Sequence, residues 1–381
     1  MQVLFLLTQI KIQLDDDGNE IEHESHVKLI DAWLKMDTRR TFVDQNFIVN
    51  DKCPKSTLNL WMGWKHILDP SHVVDMDIIK PILEHFKDVT AGGDEKQFDY
   101  QMKRFKAILL GKKTGVAVVL HGDYGCGKNM GQEFFGREVV GKRYYAYVQG
   151  TEGFTDNFNA NLQHKCYIVA DEVSQWSEGA ANASKVANIL KSRLTCEEDC
   201  IELKGVDKTY VNSYMNADFL GNSRSSVPIS SKTDRRYDIV SCSNKYVGNT
   251  AHWNKMALEF GLTPHNQEGK LTKAQIEHKD KVAYNFYHYL MLKVSTIGWD
   301  PKEFLNFKSA LRIELEEKGT HGDVCFLRWF LQHTKDDLHV NKKPIEKPMY
   351  LINEVYSLYK EFCEQFSYKL IYKAVNKFST E

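Results

Sequence analysis

Gly115-Val-Ala-Val-Val-Leu120 runs straight into His121-Gly122-Asp123-Tyr124-Gly125-Cys126-Gly127-Lys128-Asn129, and the segment that follows, Met130–Glu138, has helical spacing. The first six residues form a continuous apolar run closed by a glycine-rich turn, the pattern of a buried strand. Strand, Gly-x-x-x-x-Gly-Lys loop and helix in that order form a phosphate-binding pattern. Glycines let the backbone curl until successive N–H groups face one point, and the helix beginning there adds the positive end of its dipole. The loop residues Gly122, Asp123, Tyr124, Gly125, Cys126, Gly127 and Asn129 are therefore expected around the phosphates of ATP, with the Lys128 ammonium on the β- and γ-phosphates. By composition alone the motif arises in roughly one chain in ten of this length; the strand before it and the helix after it make it specific. Position 129 departs from the usual pattern, because Asn stands where a Ser or Thr hydroxyl normally reaches Mg2+. An amide oxygen holds that ion more weakly or through water, so nucleotide binding is expected and the efficiency of hydrolysis is left open.

Downstream, Lys165-Cys166-Tyr167-Ile168-Val169-Ala170-Asp171-Glu172 is a second apolar strand, ending in two carboxylates. In phosphoryl-transfer sites one acid orients magnesium and another group positions the attacking water, and Asp171 and Glu172 fit those roles. A strand ending in a solvated acidic turn has the same pattern; the phosphate loop upstream favours the catalytic reading. Asn216-Ala217-Asp218-Phe219-Leu220-Gly221-Asn222-Ser223 reads as a third strand with an amide at its C-terminal end. Asn222 there can hydrogen-bond both a γ-phosphate and the water. Thr233-Asp234-Arg235-Arg236-Tyr237 then precedes a fourth apolar run. Arg235 or Arg236 could offer a guanidinium to a neighbouring subunit's γ-phosphate, or pair with Asp234 on the surface. Between acids and amide, Cys200–Lys204 and Lys208–Asn212 flank Gly205-Val206-Asp207 as a hairpin with Lys204 and Lys208 near its tip. Such lysines either grip a nucleic-acid backbone without reading sequence or are ordinary solvated side chains.

Around these motifs, short apolar runs alternate with helix-like segments over residues 115–250, which predicts an α/β core with a mainly parallel sheet. The 381 residues suggest two or three domains. Ala91-Gly92-Gly93-Asp94 is the first plausible boundary, giving a small N-terminal α+β region at 1–93, the core at 94–250 and a helical region at 251–381. In the first region, residues 3–14 alternate like a strand, and His26–Met36 has helical spacing with Leu29, Ile30, Trp33 and Leu34 on one face. Further helices are expected at 75–87, Glu95–Leu110, Glu277–Val294, His321–His333 and Tyr350–Phe366, the late ones rich in aromatics that read as helix core. The cluster at Trp61 and Trp64 reads as buried packing and carries no assigned role.

Fifty basic residues against fifty-one acidic ones exclude a chain coated in positive charge, though not a local basic groove. Eight cysteines without a Cys-x-x-Cys pair read as reduced thiols of an intracellular protein. The opening run Val3–Leu7 is too short for a secretion signal, and no stretch approaches the ~20 apolar residues of a membrane span.

Taken in order, Gly122–Asn129, Ile168–Glu172, Lys191–Lys204, Asn216–Asn222 and Asp234-Arg235-Arg236-Tyr237 resemble the superfamily III viral helicase core of poxvirus- and phage-type primase-helicases. The Gly-Lys-Asn ending and the Asp-Arg-Arg-aromatic sequence are similar to phage primase-polymerases that carry a fused C-terminal helicase domain. The resemblance covers roughly residues 95–245. It implies a P-loop, AAA+-like core assembled as a homo-oligomeric ring, a hexamer by the resemblance, with ATP and Mg2+ between subunits. Lys128, Asp171, Glu172, Asn222 and the Asn129 amide would act within one subunit, and Arg235 or Arg236 across the boundary. Lys204 and Lys208 would line a channel around single-stranded DNA. It further implies a primase-polymerase domain on the same parent chain and a place in the cytoplasm of a phage-infected host. A ring-forming DNA-binding module that hydrolyses little or no ATP is the rival reading, motivated by Asn129. A small-molecule kinase is disfavoured, since no acceptor site or lid is evident.

Overall fold

Five apolar strands decide the architecture. Each is short and bounded by turn residues, and a strand apolar on both faces must be covered on both faces, as in parallel sheets. The computed structural model describes residues 6–14, 20–37, 40–150, 162–171, 180–201, 209–222, 235–264, 267, 269–302, 326, 330, 339–340, 343–344 and 352–365. It divides into two compact units, Met1–Leu60 and Trp61–Glu381.

In the first unit β1 (Leu6–Leu14) and β2 (Glu20–Lys28) pair antiparallel, from Leu6 opposite Lys28 to Leu14 opposite Glu20. Helix α1 (Leu29–Leu34) follows at once, and β3 (Asp44–Asn46) pairs in parallel with β4 (Thr57–Asn59). The helix expected at His26–Met36 is thus confined to its second half. His26, Val27 and Lys28 continue the alternation of β2 against Thr8, Leu7 and Leu6, so the strand register takes them. The apolar face of α1 is solvent-facing within the chain: Ile30, Trp33 and Leu34 are exposed.

The second unit is built on a sheet of β5 (Ala117–His121), β6 (Tyr145–Gln149), β7 (Tyr167–Asp171), β10 (Asn216–Gly221) and β11 (Tyr237–Ser241). The strands are all parallel, in the order β11-β5-β10-β7-β6. The strand bearing Asn222 therefore lies between the strand of the glycine loop and the strand of Asp171. A hairpin of β8 (Glu198–Ile201) and β9 (Thr209–Asn212) precedes β10. Its tip, with Lys204 and Lys208, lies outside the described residues. Two-residue strands β12 (His339–Val340) and β13 (Lys343–Pro344) form a separate pair.

Helices α2 (Met76–His85), α3 (Glu95–Leu109), α4 (Lys128–Phe134), α5 (Ala180–Thr195), α6 (Thr250–Glu259), α7 (Lys273–Leu292) and α8 (Ile352–Gln365) complete the described helices. Their starts are written in the sequence. Asp75 and Asp94 accept hydrogen bonds from the first-turn amides of α2 and α3, and Thr272 with Gln275 closes a reciprocal capping box on α7. Both α2 and α4 widen into π-helical turns, Phe86–Thr90 and Phe135–Gly141. These turns deliver Phe86 and Phe135 into the core, where Phe86 stacks on Phe286 at 5.7 Å and Phe135 on Phe105 at 4.0 Å. The aromatic stripe of α7 is accordingly core. Of the helix expected at 321–333, only Phe326 and Phe330 are described; Phe326 packs against Tyr359 and Phe362 of α8.

The segment Ala91–Asp94 lies inside the second unit rather than between units. Ser243 N–H donates to Val89 O at 3.0 Å, Thr90 hydroxyl donates to Gln101 at 2.9 Å, and a Cβ at Gly92 would lie 2.6 Å from Ser241 O. Trp64 is likewise tied to the core, its indole N–H donating to Leu109 O at 2.8 Å. At the centre of the sheet, Arg104 of α3 donates to Asp218 of β10 at 2.6 Å, each side chain 1% exposed, and Tyr167 adds its hydroxyl to the same carboxylate at 2.5 Å. Burying an ion pair costs desolvation on both partners and is tolerated when further hydrogen bonds satisfy them; the second Arg104 donor goes to Ala217 O at 3.0 Å. No described helix is long and apolar enough to cross a membrane.

Candidate functional site

In open parallel sheets ligands bind beyond the carboxyl ends of the strands. At that edge β5 passes into the loop Gly122–Gly127, and the loop into α4. Gly125 (φ +75°) and Gly127 (φ +87°) adopt the left-handed backbone that side-chain-bearing residues avoid. Gly127 is needed for space as well, since a Cβ there would meet the Trp253 ring at 2.3 Å and His85 Cε1 at 3.2 Å.

Lys128 follows, buried at 8% exposure. Its ammonium donates to Asn222 Oδ1 at 2.5 Å and, over longer distances, to Gly122 O (3.3 Å) and Asp123 O (3.4 Å). Among the described residues it has no carboxylate partner. A buried ammonium without a counter-charge is costly unless an anion completes it. The cleft in front of it has a volume of ≈ 470 Å³. Asp171 bounds the cleft from the end of β7, held there by the Tyr147 hydroxyl on Oδ2 and by Gly150 N–H on its main-chain oxygen (2.7 Å). The opposite wall is apolar: Met130, Trp253, Ala257 and Leu262, with Thr250 and Thr263 at its rim.

Of the residues singled out in the sequence, Tyr124, Gly125, Gly127, Lys128, Asn129, Asp171 and Asn222 all line this one cleft. Gly122 and Cys126 lie beneath the loop, Cys126 1% exposed. Asp123 is not among the residues that line the cleft; its carboxylate accepts from Asn244 Nδ2 at 2.6 Å. Arg235 and Arg236 are not brought to the cleft. They precede β11, at the opposite edge of the sheet, where Arg236 O accepts from Ala117 N–H at 2.7 Å. A five-residue strand separates the two edges, about 16 Å at the usual rise. Glu172 lies outside the described residues, as do Lys204 and Lys208.

Three participants went unread in the sequence. Trp253 and His85 close the underside of the loop from α6 and α2, and Cys242 follows β11 beside Gly122. No local motif announces them, because each arrives from a different part of the chain. Burial drives the His85 pKa down to about 3, helped by nearby His252 and only partly opposed by a contact with the Gly127 backbone, so this imidazole is neutral. Cys126 is the reverse case. The hydrogen bond from Cys242 foremost, then the Lys128 backbone N–H and ammonium, hold its thiol down to about 6 against burial and the Asp123 charge. The Cys242 thiol, as donor in that bond, is pushed well up.

No group of three or more His, Cys, Asp or Glu side chains poised to hold a metal exists among the described residues. The donor set still fits Mg2+, which takes one or two carboxylates together with substrate phosphates and water: Asp171 and the Asn129 amide oxygen border the same cleft as Lys128. The residues likewise fit a nucleotide, with the Lys128 ammonium, which has no carboxylate partner among the described residues, and an apolar wall bordering one cleft.

Residues 120–236 match the model of a family of unknown function, DUF5906. No curated protein matches the sequence. Among solved structures, the A form apo structure of the NrS-1 C-terminal region is similar with a TM-score of 0.58 and 18% identity, over 89% of this chain and 78% of that one. A further apo structure of the same region gives a TM-score of 0.58 at 17% identity, over 93% and 83%. The three-dimensional likeness therefore identifies the fold: the chain has the fold of the NrS-1 C-terminal region.

Proposed function

We propose that the chain is an ATP-dependent DNA helicase or translocase domain of a viral replication protein, acting as a homo-oligomeric ring, hexameric by the resemblance, on single-stranded DNA. The observation that carries this reading is the buried Lys128 ammonium, which faces a cleft shared with Asp171, Asn129 and Asn222 and has no carboxylate partner among the described residues. Phosphate oxygens are stronger acceptors than the two carbonyls the ammonium now touches at 3.3 and 3.4 Å. In this reading Lys128 exchanges those contacts for the β- and γ-phosphates. Asn222, relieved of the ammonium, orients the attacking water, and Glu172 takes its proton. Asp171 and Asn129 would hold Mg2+, which when bound would supply charge neutralisation at the phosphates. Trp253, Ala257 and Leu262 cover the apolar end of the nucleotide.

The placement of the arginine pair is compatible with an oligomer: about 16 Å of strand separates Arg235 and Arg236 from their own cleft, and in this reading one of them serves the cleft of an adjoining protomer. The hairpin that carries Lys204 and Lys208 would line the channel, where its lysines meet DNA phosphates. A formal charge of −1 is compatible with this, because only the channel needs to be basic.

ATP turnover measured with and without single-stranded DNA tests the proposal. DNA-stimulated turnover that Lys128→Ala abolishes is expected; nucleotide binding without turnover, unaffected by that substitution, overturns it. The second reading, a ring-forming DNA-binding module that holds a primase-polymerase on template with little or no hydrolysis, is favoured by one observation: Asn129, which borders the cleft, brings no hydroxyl to the metal position. A large gain in turnover on Asn129→Thr supports that second reading, and robust turnover of the unaltered chain removes it.

A further inference from the structure

Beneath the glycine loop two cysteines from distant parts of the chain meet. Cys126 is the fifth residue of the loop Gly122–Gly127, and Cys242 directly follows β11. They converge because β11 lies beside β5. Ser241 pairs with His121, and Cys242 N–H donates to His121 O at 2.7 Å, which sets Cys242 alongside Gly122. Gly122 is the gap between them. A Cβ there would lie 2.9 Å from Cys126 Sγ, 2.9 Å from Cys242 Cβ and 3.7 Å from Cys242 Sγ, so the two cysteine side chains flank one point that only glycine leaves open. Both thiols are free and buried, at 1% and 8% exposure. Neither has a task in phosphate binding, which falls to the loop amides and Lys128.

We propose that Cys126 and Cys242 are an oxidisable pair whose disulfide locks the phosphate loop and lowers its affinity for nucleotide. The pair is chemically asymmetric, as such a reaction requires. Cys126 accepts the hydrogen bond of Cys242 and lies beside the Lys128 ammonium, and these hold it as the thiolate near neutrality, the nucleophilic form. With a peroxide as oxidant, the Cys126 thiolate attacks one oxygen, the O–O bond breaks, and a sulfenic acid and hydroxide result. Cys242 then attacks that sulfur, its proton leaving with the displaced hydroxide. Two thiols and one hydrogen peroxide thus give one disulfide and two waters. A dithiol reductant reverses the change by thiol–disulfide exchange.

The mechanical effect follows from bond length. A disulfide holds its sulfurs ~2.05 Å apart, much closer than two sulfurs sharing a hydrogen bond. Cys242 is pinned to β5 through His121, so Cys126 must move, and it carries the Gly125 and Gly127 amides with it. Losing even one charge-assisted hydrogen bond to phosphate lowers affinity by roughly tenfold or more.

The effect on affinity rests on the nucleotide reading above, whereas the cross-link does not. The full chain is treated with hydrogen peroxide, alkylated, digested and examined by mass spectrometry, and a fluorescent ATP analogue is titrated before oxidation, after it, and after dithiothreitol. Expected are a peptide pair joined through Cys126 and Cys242, a roughly tenfold or greater loss of affinity, and recovery on reduction. Cys242→Ser and Cys242→Ala are expected to keep the affinity of the reduced chain and to make it indifferent to peroxide at concentrations that cross-link the parent. Two results overturn the proposal: Cys126 carried on to sulfinic acid with no cross-link, or a cross-link that leaves affinity unchanged. Failure of the reduced chain to bind the analogue, with the cross-link still formed, overturns the nucleotide reading and leaves the thiol pair standing.

Discussion

Arg104 and Lys128 are both buried cations on helices that pack against the same sheet, and the fold treats them in opposite ways. Arg104 at 1% exposure has a carboxylate at 2.6 Å, a carbonyl at 3.0 Å and a tyrosine sharing its acid. Lys128 at 8% exposure has an amide oxygen, two distant carbonyls and an open cleft. The first charge is neutralised from within and serves architecture; the second is left for something that enters. His85 gives a third solution to the same problem, since it is buried beside the loop and keeps no charge at all.

The sharpest test of the first half is to remove one partner of the sealed pair. Arg104→Ala or Asp218→Ala is expected to cost about 3–5 kcal/mol of unfolding free energy by leaving one charge buried alone, read from urea titration. The double substitution should fall well short of the sum of the singles, because the pair shares one interaction. Additive losses would show that the two charges do not stabilise one another.

Lys128→Ala is expected to do the reverse: stability changed far less than by Arg104→Ala, since no carboxylate partner is left stranded, and nucleotide affinity lowered roughly a hundredfold, about 2.7 kcal/mol. Thermal unfolding and titration of a fluorescent ATP analogue measure the two effects on one sample. A loss of stability as large as that of Arg104→Ala would erase the distinction between the two cations.

The glycines sharpen the second half. Gly127→Ala forces both a left-handed alanine and a collision with Trp253, for about 2 kcal/mol or more. Gly125→Ala, with no atom within 4 Å of its Cβ, carries the backbone strain alone, about 1 kcal/mol. Equal costs measured by thermal unfolding would mean that the Trp253 contact does not brace the loop.

An effect of similar modest size concerns His85. Its folded pKa of about 3 lies below the ordinary 6.5, so the unfolded chain binds the proton first. The neutral imidazole's contribution is complete above pH 6.5 and is lost as pH falls from 6.5 toward 3, at about 1.4 kcal/mol per pH unit. Chemical unfolding at pH 7.5 and 5.5 should differ by about that much more in the parent chain than in His85→Phe. A parent and variant with the same pH slope would mean that His85 is already charged or already hydrated.

These contrasts also explain what could be read in advance. Gly122–Asn129, the strand ending at Asp171 and the amide at Asn222 were legible because strand, glycine loop and helix are local, and chemistry at a strand end needs a fixed residue type. Arg104 was invisible: on an amphipathic helix an arginine reads as solvated, and its acid sits in an apolar run a hundred residues away in sequence. Asp218 was seen only as part of that run. Trp253, His85 and Cys242 reach the loop from α6, α2 and the end of β11, and their convergence is a property of the tertiary fold. The helix expected at His26–Met36 failed for a related reason, since its first three residues satisfy two periodicities and pairing with β1 chose between them. At the boundary expected at Ala91–Asp94, Gly92 instead admits a close approach of the backbone to Ser241.

The sheet order has one more consequence. β10 is a six-residue rod gripped on both sides, by β5 and β7. Three residues before it begins the hairpin ends, and Lys113 fastens that junction to Cys196 O at 2.5 Å and Ser213 Oγ at 2.8 Å. Immediately past its other end stands Asn222. A pull on the described part of the hairpin therefore has little slack to take up along β10 before it reaches the amide that touches Lys128.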